Sequence, residues 1–395
     1  MSNETNLSKF EKIKLAKENL ETKNFKILIF SPDTNQVATS TVYQLYFNVK
    51  ALRNAGYNAY ILSEKKDYAK PEWIEDEMKD IPHISIEEGL SAGPEDFLVI
   101  PEIFTNLMDQ WKDFPCEKIV ICQSYDYMLD GLLPGISWSM FNIKNVITIS
   151  DDLKNFIKET FGDFNVKKYK IGIPEYFVKS SKPKIPLIGF ISRNPHDIQK
   201  LVKVFYAKYP HFRFLTFEDM RGKTRPDFAK TLGECFLSVW IDRIASFGTF
   251  PVESMKCGTL VIGLIPDKKP EYIVENSGIW AYDIYQMADF IAQATSAWIE
   301  DNVGEVFYST MKEVSSQYTQ TESEKEIVKI YDEFVSERIK MFENVVSQQV
   351  NSFVVEGEAV MVVNNEGDAD NVTESGDVGP FEELSNHRDT NPSAE

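Results

Sequence analysis

A chain of 395 residues can bury two cores, and 43% hydrophobic with 26% charged residues is the balance of an ordinary globular protein. A net charge of −19 argues against broad nonspecific binding to nucleic acid, though it leaves room for a local basic groove. No run of about 18 apolar residues exists, which excludes a transmembrane helix. The acidity is uneven: from Asn351 to Glu395 there are eleven Asp or Glu against one Arg. The polar N-terminal stretch is unlike a signal peptide. Cys116, Cys122, Cys235 and Cys257 lack metal-type spacing. Together these predict a cytoplasmic protein with reduced, buried thiols.

In chain order, Leu7, Phe10, Ile13, Leu15 and Leu20 have loose helical spacing and predict a short helix over 5–22. FKILIF (25–30) is a buried strand, and the polar loop Ser31 to Ser40 leads to a helix from Thr41 to Asn54. Gly56 then serves as a C-cap before the strand Asn58 to Leu62. FLVIP (97–101), KIVIC (118–122) and VITIS (146–150) are short β-branched runs, as parallel strands buried on both faces should be. Gln123, Ser124, Tyr125 and Asp126 follow the second of these, at a strand's carboxyl end, where open α/β sheets place ligands. Tyr125 and Asp126 are therefore candidates for acceptor binding, with simple capping of the loop as the plainer account. Ser150 and the Asp151–Asp152 pair read as a helix N-terminus rather than a metal site.

Gly172 and Pro174 are read as turn residues ahead of a linker at 178–184. IPLIGFIS (185–192) opens a second domain, with Arg193 at its end and Lys200 near the start of the next helix. FRFLT (212–216) is read as a strand, and Phe228 to Leu232 as part of a helix. The most informative stretch is Phe236 to Leu264. An apolar strand runs to Ile241 and enters a loop with Asp242, Arg243 and Ser246; a short helix then has Pro251 in its first turn and Gly258 past its end. Such a βαβ unit aims the backbone N–H groups of Phe247, Gly248 and Thr249 at an anion. Glu253 suits hydroxyls better than phosphate. Asp283 to Ala294, Val306 to Val314 and Glu324 to Phe342 are predicted helices, and FVVEGEAVMVV (353–363) a possible strand before a disordered acidic tail.

The segment SFGTFPVESMKCGTLVIG resembles the donor signature of retaining glycosyltransferases with the GT-B fold, usually written E-x7-E. Glu253 stands for the second glutamate, and Ala245 stands where the first belongs. The resemblance spans roughly residues 25–340. It implies two doubly wound, Rossmann-like α/β domains facing a cleft. Residues 25–180 form the acceptor side and 181–322 the donor side. An N-terminal helix (1–24), a helix crossing back to the N-domain (323–350) and a disordered tail (351–395) complete the chain. The loop after the family's first strand is commonly Gly-rich, whereas Ser31 to Ser40 has no glycine.

The resemblance implies further that Arg193 and Lys200 bind the donor diphosphate and Glu253 the ribose. Asp242 is the candidate to replace the carboxylate missing at Ala245. The expected activity is transfer from a nucleotide diphosphate sugar, with retention, to a glycan, a lipid-linked or a small-molecule acceptor. No cofactor and no metal are indicated. No protein nucleophile is visible, which fits assistance by the departing phosphate. Two alternatives stay open: a degenerate binder of nucleotide sugars, favoured by Ala245, and a glycosyltransferase of modified nucleic-acid bases, disfavoured by the acidity.

Overall fold

The computed structural model describes residues 8–363 apart from Ala69, Arg193, residues 243–246 and Asp267, with side chains described through Gln348 except that of Lys9. Contacts divide the chain into Met1–Val346 and Ser347–Glu395. The first unit holds two parallel sheets. The strands β1 (Lys26–Phe30), β2 (Asn58–Ser63), β3 (His83–Ser85), β4 (Phe97–Pro101), β5 (Glu117–Cys122), β6 (Asn145–Thr148) and β7 (Asn165–Lys168) form a seven-stranded sheet. The strands β8 (Ile185–Ser192), β9 (Thr216–Asp219), β10 (Cys235–Ile241), β11 (Leu260–Leu264) and β12 (Ile279–Ala281) form a five-stranded one.

The first sheet has the order β3-β2-β1-β4-β5-β6-β7 and the second β12-β11-β10-β8-β9. Both are doubly wound, and in each the order reverses direction at one place, between β1 and β4 and between β8 and β10. The central strands are apolar on both faces because helices cover both: β4 and β10 are buried along their whole length.

The N-terminal domain carries helices α1 (Lys9–Glu21), α2 (Ser40–Asn54), α3 (Asp76–Lys79), α4 (Thr105–Gln110), α5 (Tyr125–Gly131) and α6 (Asp151–Phe161). The C-terminal domain adds α7 (Pro195–Lys208), α8 (Arg225–Glu234), α9 (Thr249–Lys256), α10 (Ile284–Ile299), α11 (Glu305–Ser316) and the long α12 (Gln320–Val363). Caps set their starts: Ser8 and Glu11 form a capping box on α1, and Thr39, Ser124, Ser150 and Thr224 cap α2, α5, α6 and α8.

Up to Phe342, α12 runs along the N-terminal domain. Arg338 donates to the carbonyls of Pro94 and Pro115 at 2.8 Å each and pairs with Glu117 at 2.7 Å. At its start, a Cβ on Gly172 would stand 2.7 Å from the Cα of Gln320, so the glycine is needed for close approach rather than for a turn.

Several expected elements moved. FRFLT is not a strand: Pro210–Phe212 is a 3-10 turn and the strand is β9, four residues later. β9 is an edge strand with charged residues, so it lacks the apolar signal, while Phe212, stacked on Phe205 of α7, and Leu215 are buried. FVVEGEAVMVV is helical, as the end of α12, because a continuous helix satisfies its own backbone without a partner strand. In α1, Leu15 is exposed, and Ala16 and Leu20 make the buried face. Leu7 and the tail from residue 364 lie outside the described residues.

Candidate functional site

A parallel sheet leaves a crevice where its strand order reverses, outside the carboxyl ends of the two diverging strands. In the C-terminal domain these are β8 and β10, whose last residues, Ser192 and Ile241, are partners in register. Asp242 follows β10 directly and is buried. Arg193, Arg243, Ala245 and Ser246 lie outside the described residues. Lys200 stands in the second turn of α7, past the helix start, and is exposed. The crevice thus gathers Asp242 and the start of α7, which leads to Lys200, on one edge.

The loop into α9 is held from behind. Phe247 is a core side chain, packed on Tyr272 and Tyr318 with ring centroids 5.1 and 5.6 Å apart, so only its backbone is left to meet a ligand. The Tyr272 hydroxyl donates to the carbonyls of Phe247 and Gly248. Gly248 has φ +64, and a Cβ there would stand 2.5 Å from the Trp240 ring. Glycine is required on both counts. Thr249 then begins α9.

Glu253, in the second turn of α9, is only 1% exposed, and its Oε1 accepts from Arg225 Nη2 at 3.0 Å. Arg225 is the first residue of α8. Both helices start at the carboxyl edge of the sheet, since α8 leads into β10 and α9 leaves it, and this is what brings the pair together. Burial opposes the arginine's charge, but Glu253, Tyr176 and Tyr43 outweigh it and its pKa is raised.

The guanidinium is also wrapped in aromatic rings: Phe177, Tyr43 and Phe228 lie 4.9, 5.1 and 5.8 Å from its carbon. Tyr43 belongs to α2, in the other domain. Tyr43 and Tyr176 both donate to Glu75 Oε1, at 3.0 and 2.5 Å, and Gln320 donates to Tyr43 at 3.1 Å. Sequence reasoning missed Arg225. Its position at the N-terminus of a helix one strand before the signature was the available clue.

In the N-terminal domain the crevice lies between β1 and β4, and the residue after β4 is Glu102. It is 1% exposed, and its Oε1 accepts the backbone N–H groups of Gln123 and Ser124 at 3.0 and 2.7 Å. Its Oε2 has no hydrogen bond among the described residues. Burial pushes its carboxyl up to about 7 against the pull of those N–H groups. Gln123 donates to the Thr41 carbonyl at 3.3 Å, which ties this loop to α2. Tyr125 and Asp126 are in the first turn of α5, beyond the Ser124 cap, and Tyr125 packs on Phe156. The loop Ser31 to Ser40 closes without glycine: Asn35 and Gln36 take positive φ, and the Gln36 amide bonds Lys70 and Glu72.

Two doubly wound sheets with facing carboxyl edges, and a last helix returning to the first domain, define the GT-B architecture. No family model matches the chain. It is 21% identical over 320 residues to an alpha-1,6-glucosyltransferase of Actinobacillus pleuropneumoniae, covering 78% of this chain and 95% of that one. Among solved structures it is similar to a sucrose-phosphate synthase of Thermosynechococcus elongatus (TM-score 0.56, 12% identity, 79% and 99% of the two chains). It is also similar to the pneumococcal O-GlcNAc transferase GtfA in complex with UDP and GlcNAc (0.55, 10%, 80% and 99%). A third is Anabaena HepE in complex with UDP-glucose (0.55, 12%, 78% and 99%). At these identities the likenesses show the fold. Among the described residues no helix is long and apolar enough to cross a membrane.

Proposed function

We propose that this protein is a glycosyltransferase that takes a sugar from a nucleotide diphosphate sugar, with retention, and passes it to an acceptor held against the N-terminal domain. The observation that carries this is the crevice between β8 and β10, which gathers Asp242, the tightly built Gly248 turn and the Glu253 helix on one edge of a GT-B scaffold. Three features support its parts. A carboxylate held in the second turn of α9 suits ribose hydroxyls, and Arg193 and Lys200 would be the cations to neutralise charge developing on the leaving diphosphate. Asp242 is the carboxylate nearest in sequence to Ala245. UDP-sugars are the first donors to try, because GtfA and HepE were solved with UDP and UDP-glucose.

The test is a thermal-shift and hydrolysis screen against UDP-, GDP-, ADP- and TDP-sugars, with Glu253→Ala run alongside. A donor that stabilises the wild type and is slowly cleaved, with both effects lost in Glu253→Ala, is the expected result. Binding without cleavage or transfer under any acceptor would replace the enzyme by a nucleotide-sugar binder. No binding by any donor rejects the assignment.

A further inference from the structure

The residue that holds Glu253 is itself held by the other domain. Arg225 gives one N–H to Glu253 and has its guanidinium carbon over three rings, one of which, Tyr43, comes from α2 of the N-terminal domain. Another, Phe177, comes from the segment that joins the domains, next to Tyr176. Tyr43 and Tyr176 converge on Glu75, again of the N-terminal domain, and Gln320 at the start of α12 bonds Tyr43. The Arg225 side chain is 16% exposed and that of Glu253 2%, so the carboxylate has little water to take the place of the cation. A planar cation stacked on rings has its orientation fixed by them, and a carboxylate forced to pair with it inherits that orientation.

We infer that Arg225 is a positioning residue through which the N-terminal domain and the interdomain segment set the Glu253 carboxylate, coupling nucleotide binding on one domain to the placement of the other. The inference rests on the reading of Glu253 as a donor ligand. The ring of Tyr43 lies 5.1 Å from the guanidinium carbon of Arg225, which gives it a route to Glu253 through the cation. That makes the coupling measurable as non-additivity, the physical warrant such a claim needs.

The experiment is a double-mutant cycle on the full chain, reading the Kd of UDP, or of the nucleoside diphosphate that the donor screen selects, by calorimetry. Tyr43→Leu should weaken binding about tenfold although it alters the other domain. Arg225→Met should weaken it at least as much, and the double variant no further. Tyr43→Phe, which keeps the ring, should stay within about twofold. Circular-dichroism melts confirm that each variant is folded, and Arg225→Lys, which keeps the charge but loses the flat face, takes the place of Arg225→Met if that chain does not fold.

Unchanged binding by Tyr43→Leu, additive losses in the cycle, or a Tyr43→Phe as damaging as Tyr43→Leu overturns the inference alone. A wild type that binds no nucleotide overturns it together with the proposed function.

Discussion

Each domain buries one glutamate beside its crevice, and the two are built in opposite ways. Glu253 faces a guanidinium; Glu102 accepts two backbone N–H groups and, among the described residues, has no cation paired with it. Removing a charge from water costs several kcal/mol, and a cation within hydrogen-bond distance is one way to offset it. Where no cation stands near, the carboxyl keeps its proton to higher pH instead, as Glu102 does. The difference teaches that burial alone does not tell what a carboxylate is for. Its partners do.

The largest effect should come from breaking the paired side of this comparison. Arg225→Met leaves Glu253 buried without its cation, and urea unfolding should show a loss of about 3–5 kcal/mol. The double variant Arg225→Met/Glu253→Leu should recover much of it, because the pair's net worth is smaller than the cost of orphaning one member.

The unpaired side gives a pH signature. Folded Glu102 holds its proton up to about 7, against an ordinary value of 4.5. Between those values the native state binds the extra proton, so the contribution of Glu102 to stability is full below 4.5 and is lost as the pH rises toward 7. Glu102→Gln keeps an acceptor for Gln123 and Ser124 but does not titrate. Its stability relative to wild type should therefore rise across that window, by about 3 kcal/mol at most, read from denaturation midpoints at a series of pH values. A flat difference would mean that Glu102 is ionised throughout.

A smaller effect sharpens the geometric side. Gly248→Ala adds a Cβ against Trp240 at a positive φ and should cost about 1–3 kcal/mol in melting or urea experiments. The same change at Gly56, which also has positive φ but open space around it, should cost less, about 1 kcal/mol.

Much of this molecule was legible without coordinates. FKILIF, FLVIP, KIVIC and IPLIGFIS fall on β1, β4, β5 and β8, because strands buried on both faces must be apolar throughout. Gly258 ends α9 with φ +61, and Ser150 caps α6, as local chemistry requires. Three edge strands escaped for the converse reason: β3, β7 and β9 are short, partly exposed and carry charges or a histidine, so no apolar run marks them, while the fourth, β12, is apolar but only three residues long.

The amino-acid sequence by itself determined the two doubly wound domains, their chief strands and helices, and the segment that carries the Glu253 helix. The strands and helices follow from near-neighbour physics, periodicity, caps and turn residues within a few positions of one another, while the pairing of two such domains and the weight given to the Glu253 segment are what the family resemblance implies. Only the tertiary structure decided that Arg225 meets both Glu253 and Tyr43, and that Gln123 and Ser124 rest on Glu102. Those contacts join residues from different elements, and in the case of Arg225 and Tyr43 from different domains. Nothing in the local pattern of Tyr43 differs from that of any core tyrosine on an amphipathic helix. Its partner was fixed by where two sheets place their carboxyl edges, which is a property of the packed whole.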